Sequence, residues 1–437
     1  MITKITNAWI LTMNENMDEF KYGDILYEDD KIIYVGEANS SIEYNHIIDA
    51  QKGIVIPGMI NTHCHVSMIP FRSLGDDCPD RLRRFLFPLE LECMNEKLVY
   101  LSAKYGIVEM LLSGITTFVD MYYFMDEVAK ACKETGIRAL LGETIINQET
   151  CDSKEIYGGL KLGEEFIQRW RNDPLITPIL APHATNTNET YIFQKAMEIC
   201  QKYDTLMTTH ASEMDYEMTY FKDTYQMTPI EWLDSIGCLN DRCLLAHCIH
   251  ITEEDIQLMK DKNVAVAHCI GSNMKAGKGI APLKSLCENN VATGLGTDGP
   301  SSSNTLDLFS LLRLVAQSQK TKYHDRSLFQ AKEIMKLATI QGAKAIHQNQ
   351  KIGSIEVGKH ADLTIISTKS IRMFPIYDPY SAIVYSANAS DVQHVFVAGK
   401  HIVNDKKINI DVLELRNELD EAMSEFKHVA KIRSADL

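Results

Sequence analysis

The sequence predicts an α/β chain: a (β/α)8 TIM-type barrel with a small composite β-sandwich domain built from both chain ends. Three observations predict it. Eight apolar, strand-like runs recur between residues 54 and 296, with helical periodicity between them. Both chain ends read as short strands and turns instead. A His-x-His pair follows the first of the eight runs, where an open doubly wound sheet would carry a glycine-rich phosphate turn.

In chain order, residues 1–55 contribute the first part of the small domain. Short strands at 25–27 and 31–36 lie there, and nothing in the segment carries chemistry. The barrel is assigned to 56–350. Its strand-like runs lie at 54–60, 117–120, 138–142, 176–180, 206–209, 243–246, 264–267 and 292–296. Helical spacing of apolar residues fills the intervals, as at 96–112, 190–202 and 253–262. Sites in such a barrel sit at the C-terminal ends of its strands. After Gly353 β character returns at 358–366 and 392–400, and 412–432 reads as an amphipathic helix. Residues 351–437 thus complete the small domain. No low-complexity segment or long flexible linker interrupts the chain.

Composition narrows the function. The 437-residue chain is 45% hydrophobic and 24% charged, ordinary for a globular protein with a sizeable core. A net charge of -15 argues against nucleic acid, which needs a basic surface. No apolar run approaches the ~20 residues of a membrane span. The first ten residues lack a basic region followed by a long apolar one, so no signal peptide is read. The 11 cysteines are odd in number and form no CxxC pair, which points to reduced thiols in a cytoplasmic protein. A homo-oligomer is left open.

The chemistry begins at His63-Cys64-His65. Side chains alternate along a strand, so the two histidines share a face and Cys64 points the other way, into packing. His210 and Asp298 end further strand-like runs. Three imidazoles and one carboxylate suit a single divalent ion, Zn²⁺ first and Fe²⁺ as a substitute. The run at 176–184 carries no lysine to bridge a second ion. Glu213, three residues past His210, is placed to act as a proton shuttle; its bland alternative is an acid at a helix N-terminus. His247 ends the sixth run and should face the metal. His183 ends the fourth and is assigned to substrate. His250 reads as ordinary, and His268 is left without a role.

These residues resemble the amidohydrolase superfamily. His63-Cys64-His65, His210-Ala211-Ser212-Glu213, His247 and Gly296-Thr297-Asp298-Gly299 carry the likeness. It extends to Ala181-Pro182-His183, Val266-Ala267-His268 with Ser272-Asn273, and Val397-Ala398-Gly399-Lys400. The pattern is most similar to the mononuclear deaminases, which include methylthioadenosine/S-adenosylhomocysteine deaminases, guanine deaminases and triazine hydrolases. The resemblance implies that metal-activated water adds to the ring carbon bearing an exocyclic amine. Asp298 would take the water proton, Glu213 would protonate the ring nitrogen, and His247 would stabilise the oxygen that becomes a carbonyl. Glu90 matches the position where nucleoside deaminases place a carboxylate on ribose hydroxyls.

Two departures stand out. Arg81 occupies a position where such deaminases often carry tryptophan, and Glu143 one where they often carry arginine. The loss of that arginine would weaken the grip on an amino-acid carboxylate. The substrate that the resemblance implies is an amino-substituted nitrogen heterocycle: a purine, an adenosine-type nucleoside or a pterin. Two alternatives remain, a triazine-type hydrolase cleaving a C–N or C–Cl bond and a scaffold that kept the barrel without catalysis. The unrelated zinc deaminase fold, with its H-x-E and P-C-x-x-C signature, does not fit these spacings.

Overall fold

A computed structural model describes residues 1–434. Eight parallel strands close into a barrel: β1 (Met59–Cys64), β2 (Ile115–Tyr122), β3 (Arg138–Ile145), β4 (Ile176–Pro182), β5 (Met207–Ala211), β6 (Cys243–His247), β7 (Ala265–His268) and β8 (Thr293–Leu295). Pairing runs in sequence order, and Leu295 opposite Asn61 closes β8 on β1. Parallel strands are covered on both faces, so they read as unbroken apolar runs. Ile60, Val119, Leu140, Ile179, Leu244 and Ala267 pack into one cluster drawn from six strands, filling the interior. Helices Glu96–Leu112, Thr190–Tyr203 and Glu253–Asp261 lie where apolar spacing placed them.

The chain ends build a separate nine-stranded sheet. They meet where Ile54–Pro57 pairs antiparallel with Leu363–Ile366, Ile56 opposite Thr364. This corrects the reading of 54–60 as one barrel strand. Ile54–Pro57 belongs to the outer sheet, and β1 starts at Met59. Gly58 forms the joint: its amide bonds to the Asp362 carbonyl at 2.9 Å, and a Cβ there would overlap the Thr116 side chain at 2.1 Å.

The C-terminal tail is two helices, Val412–Ala422 and Ser424–Ser434, rather than one. The Phe426 ring meets Phe71 at 4.7 Å, and Arg433 pairs with Glu92. The tail thereby braces helix Phe87–Cys93, which carries Glu90. All 11 cysteines are free, and Cys64 turns outward to Asp120 at 3.3 Å. Among the described residues no helix is long and apolar enough to cross a membrane.

Barrel and sheet are joined by a buried ion pair. Arg138 on β3 donates to both oxygens of Asp362, at 3.1 and 3.2 Å, and Asp362 also accepts the Ala398 amide at 2.6 Å. Both side chains are almost fully buried. Removing one partner leaves the other charge dry and uncompensated. Arg138→Met should therefore cost about 3–5 kcal/mol in denaturant unfolding. Arg138→Met with Asp362→Leu should cost clearly less, because no charge is stranded.

Candidate active site

Each candidate ligand stands at a strand end. His63 lies within β1 and His65 just beyond it, His210 lies in β5, and Asp298 follows β8. Ligating atoms of His63, His65 and His210 lie within 4.8 Å of one another. The His63 and His210 Nε2 atoms are 3.2 Å apart, and His65 Nε2 is 3.3 Å from Asp298 Oδ1.

The outward hydrogen bonds say which nitrogens face inward. His65 Nδ1 donates to the Met121 carbonyl at 2.6 Å, and His210 Nδ1 to the His183 carbonyl at 2.5 Å. Their Nε2 lone pairs are thus left facing Asp298 and His63. Burial, and then neighbouring histidines, push the His63 and His210 pKa values well below the usual range, which favours the ligating form of each ring. Burial opposes ionisation of Asp298, yet His65, His247, His63 and Lys278 hold its carboxyl far below the carboxylate range. Lone pairs and an anionic oxygen aimed at one another fit a divalent cation and little else.

The backbone is bent to achieve this. Ser212, His247, Cys248 and Asp298 all adopt positive φ, at 50°, 72°, 47° and 60°. For non-glycine residues each such turn costs about 1–3 kcal/mol. Hydrogen bonds hold the turns in place: the Asp298 amide donates to the His63 carbonyl at 3.0 Å, and the Gly299 amide to Asp298 Oδ1 at 2.7 Å.

Glu213 and His247 share the site, with His247 Nε2 at 3.6 Å from Glu213 Oε1. His247 Nδ1 donates to Asn273 Oδ1 at 2.8 Å, which aims Nε2 inward. Burial works against the Glu213 charge, but His247, Lys278 and His210 outweigh it and hold the carboxyl at about 2. Above these groups opens a cavity of about 610 Å³, lined among others by Glu90, His183, Glu213, His247 and Asp298. Burial pushes the Glu90 carboxyl up to about 7, with Tyr122 beside it. Burial and then His65 push His183 down to about 4, and its Nδ1 lies 3.1 Å from the Thr187 hydroxyl.

Arg81 reaches the cavity wall but is tied down. It donates to the carbonyls of Leu74 (2.7 Å), Ser301 (2.5 Å) and Phe71 (3.1 Å) and pairs with Asp76 at 3.3 Å. Its role is to pin the loop after β1 to the loop after β8. His250 meets Asp215 at the surface (3.5 Å), while His268 is fully buried with neither nitrogen hydrogen-bonded within the protein.

Sequence reading missed Lys278, which forms an ion pair with Glu213. No periodicity marks it. The only local signal is the pair of glycines flanking it, Gly277 and Gly279, whose positive φ values turn the loop back into the site.

Residues 54–402 match the amidohydrolase family. A 5-methylthioadenosine/S-adenosylhomocysteine deaminase of Thermodesulfovibrio yellowstonii is 35% identical over 398 residues, covering 90% of this chain and 91% of that one. An adenosine deaminase from Xanthomonas campestris, solved with bound zinc, superimposes with a TM-score of 0.94 at 28% identity, covering 98% of each chain. The zinc-complexed atrazine chlorohydrolase TrzN of Arthrobacter aurescens TC1 shares the fold, with a TM-score of 0.89 at 22% identity over 96% of this chain and 100% of that one.

Glu143 does not line the cavity. It is buried beneath the site, its Oε2 accepts the Met125 amide at 3.1 Å, and Asp152 faces it. Burial first, and then Asp152, raise its pKa well above the usual carboxylate value, so the folded protein keeps the proton. An unfolded chain releases that proton above pH ~4.5, so the stability it supports is complete below that pH. It is lost as pH rises, by at most about 1.4 kcal/mol per pH unit, until the folded group ionises too. Glu143→Gln, which cannot ionise, should flatten this slope. Its melting temperature should gain on the wild type as pH rises above about 5.

Proposed function

The chain belongs to the amidohydrolase family, and we propose that it is a metal-dependent hydrolase that deaminates an amino-substituted nitrogen heterocycle. Adenosine-type nucleosides are the leading substrates. The observation that carries this reading is Glu213 beside His247, in the same cavity wall as His65, His210 and Asp298, which converge with the deeper His63. A non-catalytic scaffold would not need that full set.

His63, His65, His210 and Asp298 would hold one divalent ion, and Zn²⁺ is the ion we propose. When bound, such an ion lowers the pKa of water from near 16 toward about 7. The remaining chemistry belongs to side chains. Asp298 accepts a proton from the attacking water as the new C–O bond forms at the amine-bearing ring carbon. Glu213, ionised at rest, takes the other proton of that water and passes it to the adjacent ring nitrogen, so the electron pair displaced onto that nitrogen is not left as a buried charge. His247 Nε2 faces the oxygen that becomes the carbonyl. Asp298 passes its proton to the amine, the C–N bond breaks, and the amine leaves as ammonia. Glu90 and His183 hold the rest of the substrate.

Arg81 is spent on backbone carbonyls and Glu143 faces away, so neither selects among 5′ substituents. The net charge of -15 and the free thiols support a small-molecule enzyme of the reducing cytoplasm, without nucleic-acid partners.

Adenosine, 5′-methylthioadenosine, S-adenosylhomocysteine, guanine and a pterin, assayed for released ammonia, test the reading. Activity should vanish on chelation and return with Zn²⁺. Glu213→Gln should lose about 10²–10⁴-fold in turnover. Full activity in that variant would remove Glu213 from the mechanism. Release of chloride or alkylamine from triazines, with no ammonia from purines, would move the enzyme to the triazine hydrolases.

A further inference from the structure

Glu217 is a buried acid at the edge of the cavity lining that has no part in the chemistry assigned above, yet it accepts four hydrogen bonds. It is 3% exposed. Its Oε1 accepts the Ser212 amide at 2.9 Å and the Thr185 hydroxyl. Its Oε2 accepts the Glu213 amide at 2.8 Å and the Met214 amide at 3.4 Å. An acid at the third position of helix Asp215–Tyr225 needs only to cap that helix, which the Met214 contact does. The remaining three bonds reach backwards, into the turn that carries Glu213, and sideways to the residue two after His183.

We propose that Glu217 is a positioning residue for the proton shuttle: its carboxylate clamps the Ser212–Met214 turn and fixes Glu213 relative to both His183 and His210. The turn needs such a clamp because Ser212 sits at φ 50°, a conformation that serine abandons readily without external bonds. Other ties register it against neighbouring strands. Ser212 O accepts the Ile249 and His250 amides at 2.9 and 3.0 Å, and the His210 amide donates to the His183 carbonyl at 3.0 Å. Glu217 joins these ties through side-chain contacts, holding the β4 end through Thr185 and the turn through the Glu213 amide with one planar group. Glutamine would leave one accepting oxygen and set an NH2 against a backbone N–H, so the conservative variant should fail by half.

The inference rests on Glu213 acting as the shuttle, and a double-mutant cycle in the zinc-loaded, full-length enzyme separates the two claims. Glu217→Gln should lower kcat about 10–100-fold, with KM changed less than about threefold and zinc content and melting temperature near wild type. Thr185→Val, which removes one hydrogen bond from the clamp, should lower kcat less and covers the case in which Glu217→Gln misfolds. In a Glu213→Gln background, adding either change should cost nothing further, because the group being positioned is already disabled. Multiplicative losses in that background would overturn the positioning role, as would wild-type kcat in a folded, zinc-replete Glu217→Gln. Wild-type kcat in Glu213→Gln alone would instead sink the shuttle reading on which the inference rests.

Discussion

Nitrogen and carboxylate lone pairs held about 3 Å apart in a dry cavity repel one another unless a cation lies among them. That is the condition at the mouth of this barrel, where His65 Nε2 faces Asp298 Oδ1 at 3.3 Å and His63 faces His210 at 3.2 Å. The arrangement persists because the other ring nitrogens of His65 and His210 are anchored to carbonyls of neighbouring strands. Eight parallel strands ending on one rim make this possible. They bring residues more than 200 positions apart within bonding reach, and they supply the carbonyls that aim the rings.

The fold was legible wherever burial alone decides the residue type. Strands β2 to β8 are covered on both faces, so they read as short apolar runs without alternation. The first run misled for the same reason. Residues 54–60 are continuously apolar, but the break at Gly58 comes from how closely the chain passes Thr116, a contact with a residue 58 positions away. The tail read as one helix because apolar spacing continues through Met423, and only its packing divides it.

The site was legible in a different way. His63, His65, His210, His247 and Asp298 follow apolar runs directly, so strand geometry could place them. Arg81 and Glu143 could not be placed, because both are departures whose meaning depends on partners. Arg81 staples loops, and Glu143 is a buried acid outside the cavity whose pKa burial pushes well above the usual carboxylate value. Glu217 carries no sequence signal of its own, since an acid at the third position of a helix has the same spacing whether it caps the helix or holds the preceding turn.

Lys278 shows why a loop residue can matter as much as a strand-end one. Its ammonium binds Glu213 Oε1, the same oxygen that His247 approaches. One side of the carboxylate is therefore held by Lys278 with His247 beside it, and the other oxygen is left for the proton transfer proposed above. A carboxylate free to rotate would present either oxygen and lose the alignment that proton transfer needs. Held from below by its amide on Glu217 and from the side by Lys278, Glu213 has one oxygen to offer and one direction in which to offer it. The strands bring the ligands together, but these loop contacts orient the acid.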